Sequence, residues 1–262
     1  MDDNLTREYL SRIGCPPPGR ADAEALRILH RAHQMAVPFE NLSIHLGEPI
    51  VLIDAELVTK VVTRRRGGFC YELNGAFAAL LEALGFGVER VAARVYGGGG
   101  PGPPFDHMAL VVRPDDGTGP WLADVGFGSH STFPLLLEDR CGQQDPAGQF
   151  QITAAPEGDL DVLKAGEPQY RLERRPRDLR DFAPTCWWQQ TSPQSHFRTG
   201  LICSLLTDGG RISLSGRTLI TTTNGQRAEQ ELPDDAAVLA VYREHFGIGL
   251  ERVPEVIADD TG

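Results

Sequence analysis

The stretch Arg65-Arg66-Gly67-Gly68-Phe69-Cys70-Tyr71-Glu72-Leu73-Asn74 sets a double-glycine turn directly before a run with helical periodicity. Beyond it, Leu73, Phe77, Leu80, Leu81 and Leu84 repeat along one helix face, and Gly85 supplies the stop. Cys70 therefore falls at a helix N-terminus. Unpaired N–H groups and the positive end of the helix dipole favour an anion there, so the sequence predicts a thiol pKa below its free value of about 8.5. The two glycines allow a sharp turn that leaves the sulfur uncovered. A buried, inert cysteine is the competing reading, and the turn alone does not separate the two.

Working outward, the chain of 262 residues can bury a substantial core without covalent staples. Its five cysteines, Cys15, Cys70, Cys141, Cys186 and Cys203, are scattered and form no C-x-x-C pair. That argues against a disulfide framework or a zinc site and for a reducing compartment. No apolar run approaches the ~18 residues of a membrane span, and the acidic start Met1-Asp2-Asp3-Asn4 does not read as a signal peptide. A cytoplasmic, soluble protein is expected. The net charge of −11 disfavours nucleic acid and anionic membrane as partners, although a locally basic groove could still take a polyanionic small molecule.

The first third reads as helices. Leu5, Tyr9, Leu10 and Ile13 make a short amphipathic stretch ended by Gly14 and Pro16-Pro17-Pro18. Asp22 caps a second helix that stops at Pro38, and Asp54 caps a third that ends in Arg64-Arg65-Arg66. From Val88 the period changes from 3.6 to 2. Stretches at 88–96, 108–112, 121–125, 149–153 and 170–173 read as strands, giving an antiparallel sheet or barrel to about residue 200. The loop Gly97-Gly98-Gly99-Gly100-Pro101-Gly102-Pro103-Pro104 lacks the Lys-Ser/Thr of a phosphate loop and reads as a flexible connector. Further strands near 202–206, 211–214, 218–223 and 229–232 precede a helix from Ala236 to Phe246, capped by Asp234 or Asp235. The expected fold class is α+β and multidomain: a helical bundle over 1–86, an antiparallel β-barrel over 87–200 and an α/β lid over 201–262.

A thiolate needs a base, and Asp106-His107-Met108 opens an apolar strand. A second strand, Trp121-Leu122-Ala123-Asp124-Val125, follows the Pro114-Asp115-Asp116-Gly117 turn. A hairpin symmetric about Asp115-Asp116 sets His107 directly opposite Asp124, although Thr118-Gly119-Pro120 can shift that register. The carboxylate would then orient the imidazole toward a third group. Cys, His and Asp so arranged activate a thiol nucleophile. His30 and His33 are explained by packing on a helix face, His45 and His130 stand alone, and His245 suits a helix C-terminus; His196 is the remaining rival. No histidine pair has metal-ligand spacing, so no metal is expected.

These residues carry a resemblance. Val37-Pro38-Phe39-Glu40-Asn41-Leu42, Arg66-Gly67-Gly68-Phe69-Cys70-Tyr71-Glu72-Leu73-Asn74, Asp106-His107-Met108, Ala123-Asp124-Val125-Gly126-Phe127-Gly128 and Ser192-Pro193-Gln194-Ser195-His196-Phe197 resemble, in this order, the motifs of the arylamine N-acetyltransferases. The resemblance implies a bundle, barrel and lid around a Cys-His-Asp core of the cysteine-protease kind, with Cys70, His107 and Asp124 as the catalytic triad. It implies acetyl-coenzyme A as acyl donor, an acetyl-cysteine intermediate in a ping-pong cycle, and arylamines, arylhydrazines or arylhydroxylamines as acceptors. Substrate-pocket positions fall on Phe39, Val95, Phe127 and Phe197, and Gly126 and Gly128 are the positions expected beside the cofactor. Contacts to the adenosine phosphates are not placed; Arg198, Arg211, Arg217 and Arg227 are candidates by charge. Xenobiotic metabolism is the role the family suggests. An amide synthase working on a carrier-bound polyketide thioester, a cysteine hydrolase and a non-catalytic small-molecule binder remain as alternatives.

Overall fold

The computed structural model describes residues 1–256. Helices dominate the first third: α1 (Asp3–Arg12), α2 (Ala23–Ala36), the short α3 (Leu42–Leu46), α4 (Asp54–Val62) and α5 (Cys70–Ala83), with strand β1 (Phe39–Glu40) between α2 and α3. Asp22 caps α2 as its sequence predicts, accepting from the Ala25 N–H at 2.9 Å. Asp54 does not cap α4. Ile53 holds the cap position, and Asp54 begins the helix, where its carboxylate faces the positive end of the dipole and pairs with Arg90 at 3.1 Å. Residues of α1, α2, α4 and α5, among them Tyr9, Leu26, Leu29, Val58, Phe77 and Leu80, form a buried core against Leu110, Val112 and Ala123.

The period-2 region forms β2 (Gly87–Gly97), β3 (Gly100–Pro101), β4 (His107–Arg113), β5 (Trp121–Ala123), β6 (Leu135–Leu136), β7 (Gln143–Asp145), β8 (Gly148–Ala154), β9 (Leu160–Lys164) and β10 (Glu167–Arg177). They make an antiparallel sheet in the order β6-β5-β4-β2-β10-β9-β8-β7, with β3 paired to β2. The sheet curls into a nearly closed barrel. Across its seam Gln143 acts as a missing rung: its Oε1 accepts from the Leu136 N–H at 2.8 Å and its Nε2 donates to the Leu136 carbonyl at 2.9 Å. Strand β4 is buried on both faces. Ala109 and Val111 point into the barrel core with Phe150, Ile152, Val162 and Tyr170, while Leu110 and Val112 face the helices, so its sequence is apolar from Met108 to Val112.

Two expectations need correction here. The glycine-rich segment is no loose connector: Tyr96 pairs with Pro101 and Gly97 with Gly100, so the segment is a tight β2–β3 hairpin. The sheet also stops short of residue 200. Two helices follow instead, α6 (Ala183–Thr191) and α7 (His196–Thr199), because Pro184 pre-sets the first turn of α6 and Ser195 caps α7 by accepting from the Phe197 N–H.

A second antiparallel sheet has the order β1-β11-β12-β13-β14, with β11 (Cys203–Thr207), β12 (Gly210–Ser215), β13 (Thr218–Thr223) and β14 (Gln226–Glu231). Helix α8 (Asp235–Phe246), capped by Asp234, packs Val238, Tyr242 and Phe246 onto Cys203 and Leu214. Strand β1 belongs to this sheet on one side. On the other, Glu40 N–H donates to Gly68 O at 2.9 Å, which ties the sheet to the turn before α5. At that turn a Cβ on Gly67 would lie 1.8 Å from the Pro38 carbonyl oxygen. Gly67→Ala should therefore destabilise the fold by about 1–3 kcal/mol through forced backbone displacement, read as a lowered denaturant midpoint with an unchanged slope.

Candidate active site

Cys70 is the first residue of α5 and is 3% exposed. The turn that delivers it is clamped by buried charge. Lys60 Nζ reaches Glu72 Oε1 at 2.5 Å and Ser43 Oγ at 2.8 Å, and Arg66 reaches Glu40 Oε1 at 3.0 Å and Glu48 Oε2 at 3.0 Å. Glu72 Oε2 also accepts from the Phe69 N–H at 3.2 Å, so its carboxylate occupies the positive end of α5 itself. The predicted lowering of the Cys70 pKa does not hold. Burial pushes the thiol well up, the nearby Cys186, Asp106 and Asp124 raise it further, and a hydrogen bond from the Met108 main chain only partly offsets them. The helix terminus is too dry, and already too well supplied with negative charge, to ionise the thiol unaided.

His107 Nε2 lies 2.8 Å from Asp124 Oδ2, with both side chains buried. The register that brings them together differs from the symmetric hairpin. Leu110 pairs with Ala123, Val111 with Leu122 and Val112 with Trp121, so every partner sits two residues further along than expected. The longer loop causes the offset. Asp116 accepts from Thr118 N and Oγ1 and from Ala23 N, which draws the turn onto α2. A slip of two residues preserves the face, so His107 meets Asp124 diagonally instead of directly across.

Asp124 is bonded on both carboxylate oxygens. Its Oδ1 accepts from Asn74 Nδ2 at 2.9 Å and from Gly126 N at 3.0 Å, while its own N–H donates to His30 Nε2 at 3.0 Å. Burial alone would raise this carboxyl, but the hydrogen bond and charge of His107, with the Asn74 bond, hold it well below the usual range. Asn74 also donates to the Met108 carbonyl at 2.6 Å and accepts from Val125 N at 3.0 Å. His30, assigned above to packing, is fully buried; with its Nε2 accepting, Nδ1 carries the proton toward the Thr132 carbonyl at 3.0 Å, and burial keeps the ring neutral. Asn74 stands one helical turn beyond Cys70, and a lone amide in an apolar helix was the available signal for it. Nothing in the local pattern distinguished His30.

Cys70 and His107 open on one cavity of about 220 Å³, whose wall includes Phe39, Val95, Gly126, Phe127 and Phe197. The three phenylalanines are partly buried, with Phe39 and Phe197 ring centres 6.1 Å apart and Phe127 standing 5.2 Å from the His107 ring. Asn41 and His45 fix the Phe197 carbonyl at 2.8 and 3.0 Å, a role not legible for His45 in the sequence. Gly126 comes so close to α5 that a Cβ there would lie 2.8 Å from Cys70 Cα. Its smallness serves the packing of this loop on α5. Gly128 lies beside the Phe39 ring and does not line the cavity. Asp106, Gln189 and His196 complete the wall; of these only His196 was kept as a site rival on sequence grounds.

A larger cleft of about 640 Å³ lies on the other side of the 126–130 loop, between the barrel and β12–β13. Arg31, His130, Lys164 and Arg211 line it. Arg31 pairs with Asp208 at 2.7 Å, whereas Lys164 and Arg211 have no carboxylate within ion-pair distance among the described residues. Burial lowers the pKa of both, and Lys164 is lowered further by Arg211. The two cations lie close enough to repel each other, with Asp145 acting on Lys164 only from beyond ion-pair distance. Arg198 stands elsewhere, near His45, and Arg217 and Arg227 pair with Asp235 and Glu229. No cluster of metal-ligating side chains occurs among the described residues.

A family model described as N-acetyltransferase matches residues 22–255. The chain is 38% identical over 252 residues to the arylamine N-acetyltransferase of Mycolicibacterium smegmatis, covering 92% of this chain and 91% of that protein. It is 35% identical over 254 residues to the arylamine N-acetyltransferase / N-hydroxyarylamine O-acetyltransferase of Salmonella typhimurium, covering 94% and 89%. The structure superposes on Mycobacterium marinum arylamine N-acetyltransferase in complex with CoA with a TM-score of 0.85 at 35% identity, covering 93% and 92% of the two chains.

Replacing Asn74 with Leu strips one partner from Asp124 and leaves the buried Val125 N–H unsatisfied. Asn74→Leu should cost about 1–3 kcal/mol of stability, read by urea denaturation, and should slow alkylation of Cys70 by iodoacetamide. An unchanged midpoint and an unchanged alkylation rate would remove Asn74 from the positioning role.

Proposed function

The chain belongs to the arylamine N-acetyltransferase family, and on that premise we propose that it carries an acetyl group from acetyl-coenzyme A, through Cys70, to the nitrogen of an aromatic amine, hydrazine or hydroxylamine. The observation that carries the reading is the shared cavity: a cysteine at a helix start and a carboxylate-held imidazole open together on a small space walled by aromatic rings. In the same proposal, residues 1–86 act as a bundle presenting the nucleophile, 87–200 as the barrel presenting base and acid, and 201–262 as a lid; of the last, 257–262 lie outside the described residues.

The geometry assigns atoms to the steps. Asp124 holds His107 Nε2, which leaves Nδ1 to take the Cys70 proton. Burial disfavours the thiolate on its own, so the charge is carried as a thiolate–imidazolium pair, neutral overall and tolerable in a dry site. Cys70 Sγ attacks the thioester carbonyl carbon, the bond to the coenzyme A sulfur breaks, and His107 returns its proton to the departing thiolate. In the same proposal N–H groups at the start of α5 receive the developing oxyanion. A weakly basic aromatic amine, unprotonated near neutral pH, then attacks the acetyl carbon; His107 takes its proton and Cys70 leaves as thiolate. Phe39, Phe127 and Phe197 flank the acceptor ring and keep water from the acyl-enzyme.

The donor's phosphates fit the cleft beyond the 126–130 loop. Lys164 and Arg211 have no ion-paired carboxylate there among the described residues, and a phosphate relieves their mutual repulsion. His130 lines this cleft, and its ring lies 5.4 Å from that of Phe127 on the triad cavity, so a pantetheine arm crossing the loop joins the two spaces.

Intact-protein mass spectrometry tests the central claim. Acetyl-coenzyme A alone should add one acetyl group at Cys70, an arylamine should remove it, and Cys70→Ala should show no adduct. Acylation only by a carrier-bound thioester would replace this reading with amide synthesis, and loss of the acetyl group to water without an amine would replace it with hydrolysis. Lys164→Ala and Arg211→Met should each reduce kcat/KM for acetyl-coenzyme A roughly tenfold. The same variants should leave a phosphate-free acetyl thioester nearly unaffected; equal losses on both donors would place the phosphates elsewhere.

A further inference from the structure

The acceptor cavity contains a carboxylate that the acetyl-transfer chemistry does not use. Asp106 precedes His107 in the chain and lines the same space as Cys70, His107 and the three phenylalanines. It is not part of the Asp124 system. Its Oδ1 accepts from Gln189 Nε2 at 2.8 Å, and the Val95 main-chain N–H lies beside it. The Gln189 amide is oriented from behind, since its Oε1 lies 2.6 Å from Ser195 Oγ, which points the NH₂ at Asp106. Tyr71 fixes the backbone at this point by donating to the carbonyls of Phe105 and Asp106 at 2.7 and 3.1 Å. The side chain is thus held in one place by groups that all donate to it, the pattern of an ionised carboxylate.

Its charge has no fixed counter-ion. No Lys or Arg stands within ion-pair distance of Asp106 among the described residues, and the groups on the cavity wall able to carry positive charge are His107, already bonded to Asp124, and the exposed His196. Burial raises the Asp106 carboxyl, and His107, the Val95 N–H, Gln189 and His196 act against that rise. A negative charge partly withdrawn from water on the wall of a cavity of about 220 Å³ acts on any occupant at short range and reduced dielectric.

We propose that Asp106 is a specificity residue for the acyl acceptor, favouring aromatic amines and hydrazines that carry a second cationic or hydrogen-bond-donating group and disfavouring those that carry an anionic substituent. The inference rests on the acetyltransferase reading above and deepens it. Gln189 and Ser195 are positioning residues that keep the carboxylate turned along the wall. The aromatic rings select for a flat apolar acceptor whatever its charge; Asp106 adds the sign.

The test compares three acceptors on the wild type, Asp106→Asn, Asp106→Ser and Asp106→Glu: 4-aminobenzoate (anionic), 4-methylaniline (neutral) and 4-(2-aminoethyl)aniline (cationic). Each protein is first acetylated with acetyl-coenzyme A and checked by intact mass, so the donor half-reaction is read separately. Removing the charge should raise kcat/KM for 4-aminobenzoate relative to 4-methylaniline about tenfold and lower that for 4-(2-aminoethyl)aniline by a similar factor. Asp106→Glu should keep the wild-type order. Each compound is its own reference, so a merely structural loss at Asp106 would lower all three together, and that result would overturn the proposal. The asparagine and serine variants guard each other against failure of one to fold. Failure of the wild type itself to take up the acetyl group would overturn the underlying reading instead.

Discussion

The structure depends on a set of charges that water does not reach. Lys60, Glu72, Arg66 and Glu40 lie beneath the turn that delivers Cys70, with Lys60 to Glu72 at 2.5 Å and Arg66 to Glu40 at 3.0 Å. Burial strips Lys60 of hydration, and the carboxylates of Glu72 and Glu40 more than restore its charge, raising its pKa. Such a network is a poor source of net stability, because desolvation consumes most of the Coulomb gain, but it tolerates few alternative geometries. Its members come from β1, α4, the turn and α5, so satisfying the charges fixes those pieces relative to one another. Strand β1 extends the constraint: it hydrogen-bonds Gly68 on one side and β11 on the other, which ties the second sheet to the turn before Cys70.

Burial sets the chemistry of the site as well as its shape. Burial disfavours the Cys70 thiolate, and Glu72 already accepts from the Phe69 N–H at the start of α5, so the helix end alone does not ionise the thiol. What remains is the imidazole, and its geometry is inherited from Asp124. Asp124 in turn is held by Asn74 from α5 and by His30 from α2, which accepts its main-chain N–H. The helix that carries the sulfur thus also orients the acid behind the base.

Most of the α+β layout was readable because period and punctuation agree locally: Asp22 and Asp234 cap helices, and β4 and β5 show their apolar runs. The hairpin register was two residues off, since Asp116 is drawn to Ala23 on α2, a partner 93 residues away that no local pattern reveals. His107 and Asp124 still share a face, because a two-residue slip leaves strand parity intact. The thiol pKa was misjudged for the opposite reason: a helix terminus is visible in sequence, whereas its burial and its competing carboxylate are tertiary facts. Helices α6 and α7 were hidden by polar and aromatic residues with no clear period, although Pro184 marked a start. They carry Gln189, His196 and Phe197 to the cavity, so the least legible segment supplies one wall of the candidate site.

The distribution of charge around that site runs against the chain as a whole. The protein carries a formal charge of −11, yet among the described residues the cleft beside β12–β13 holds Lys164 and Arg211 with no carboxylate at ion-pair distance, while the cavity at Cys70 carries Asp106 with no Lys or Arg at that distance. The 126–130 loop separates the two, with Phe127 facing one and His130 facing the other. Their rings pack on Tyr170, and burial presses the His130 pKa down to about 4, so the partition itself adds no charge near neutral pH. A neutral aromatic wall thus stands between a cleft lined by Lys164 and Arg211 and a cavity lined by Asp106. The loop can lie so thinly between them because Gly126 brings its backbone against Cys70, and that close packing returns the geometry to the helix on which the charged clamp acts.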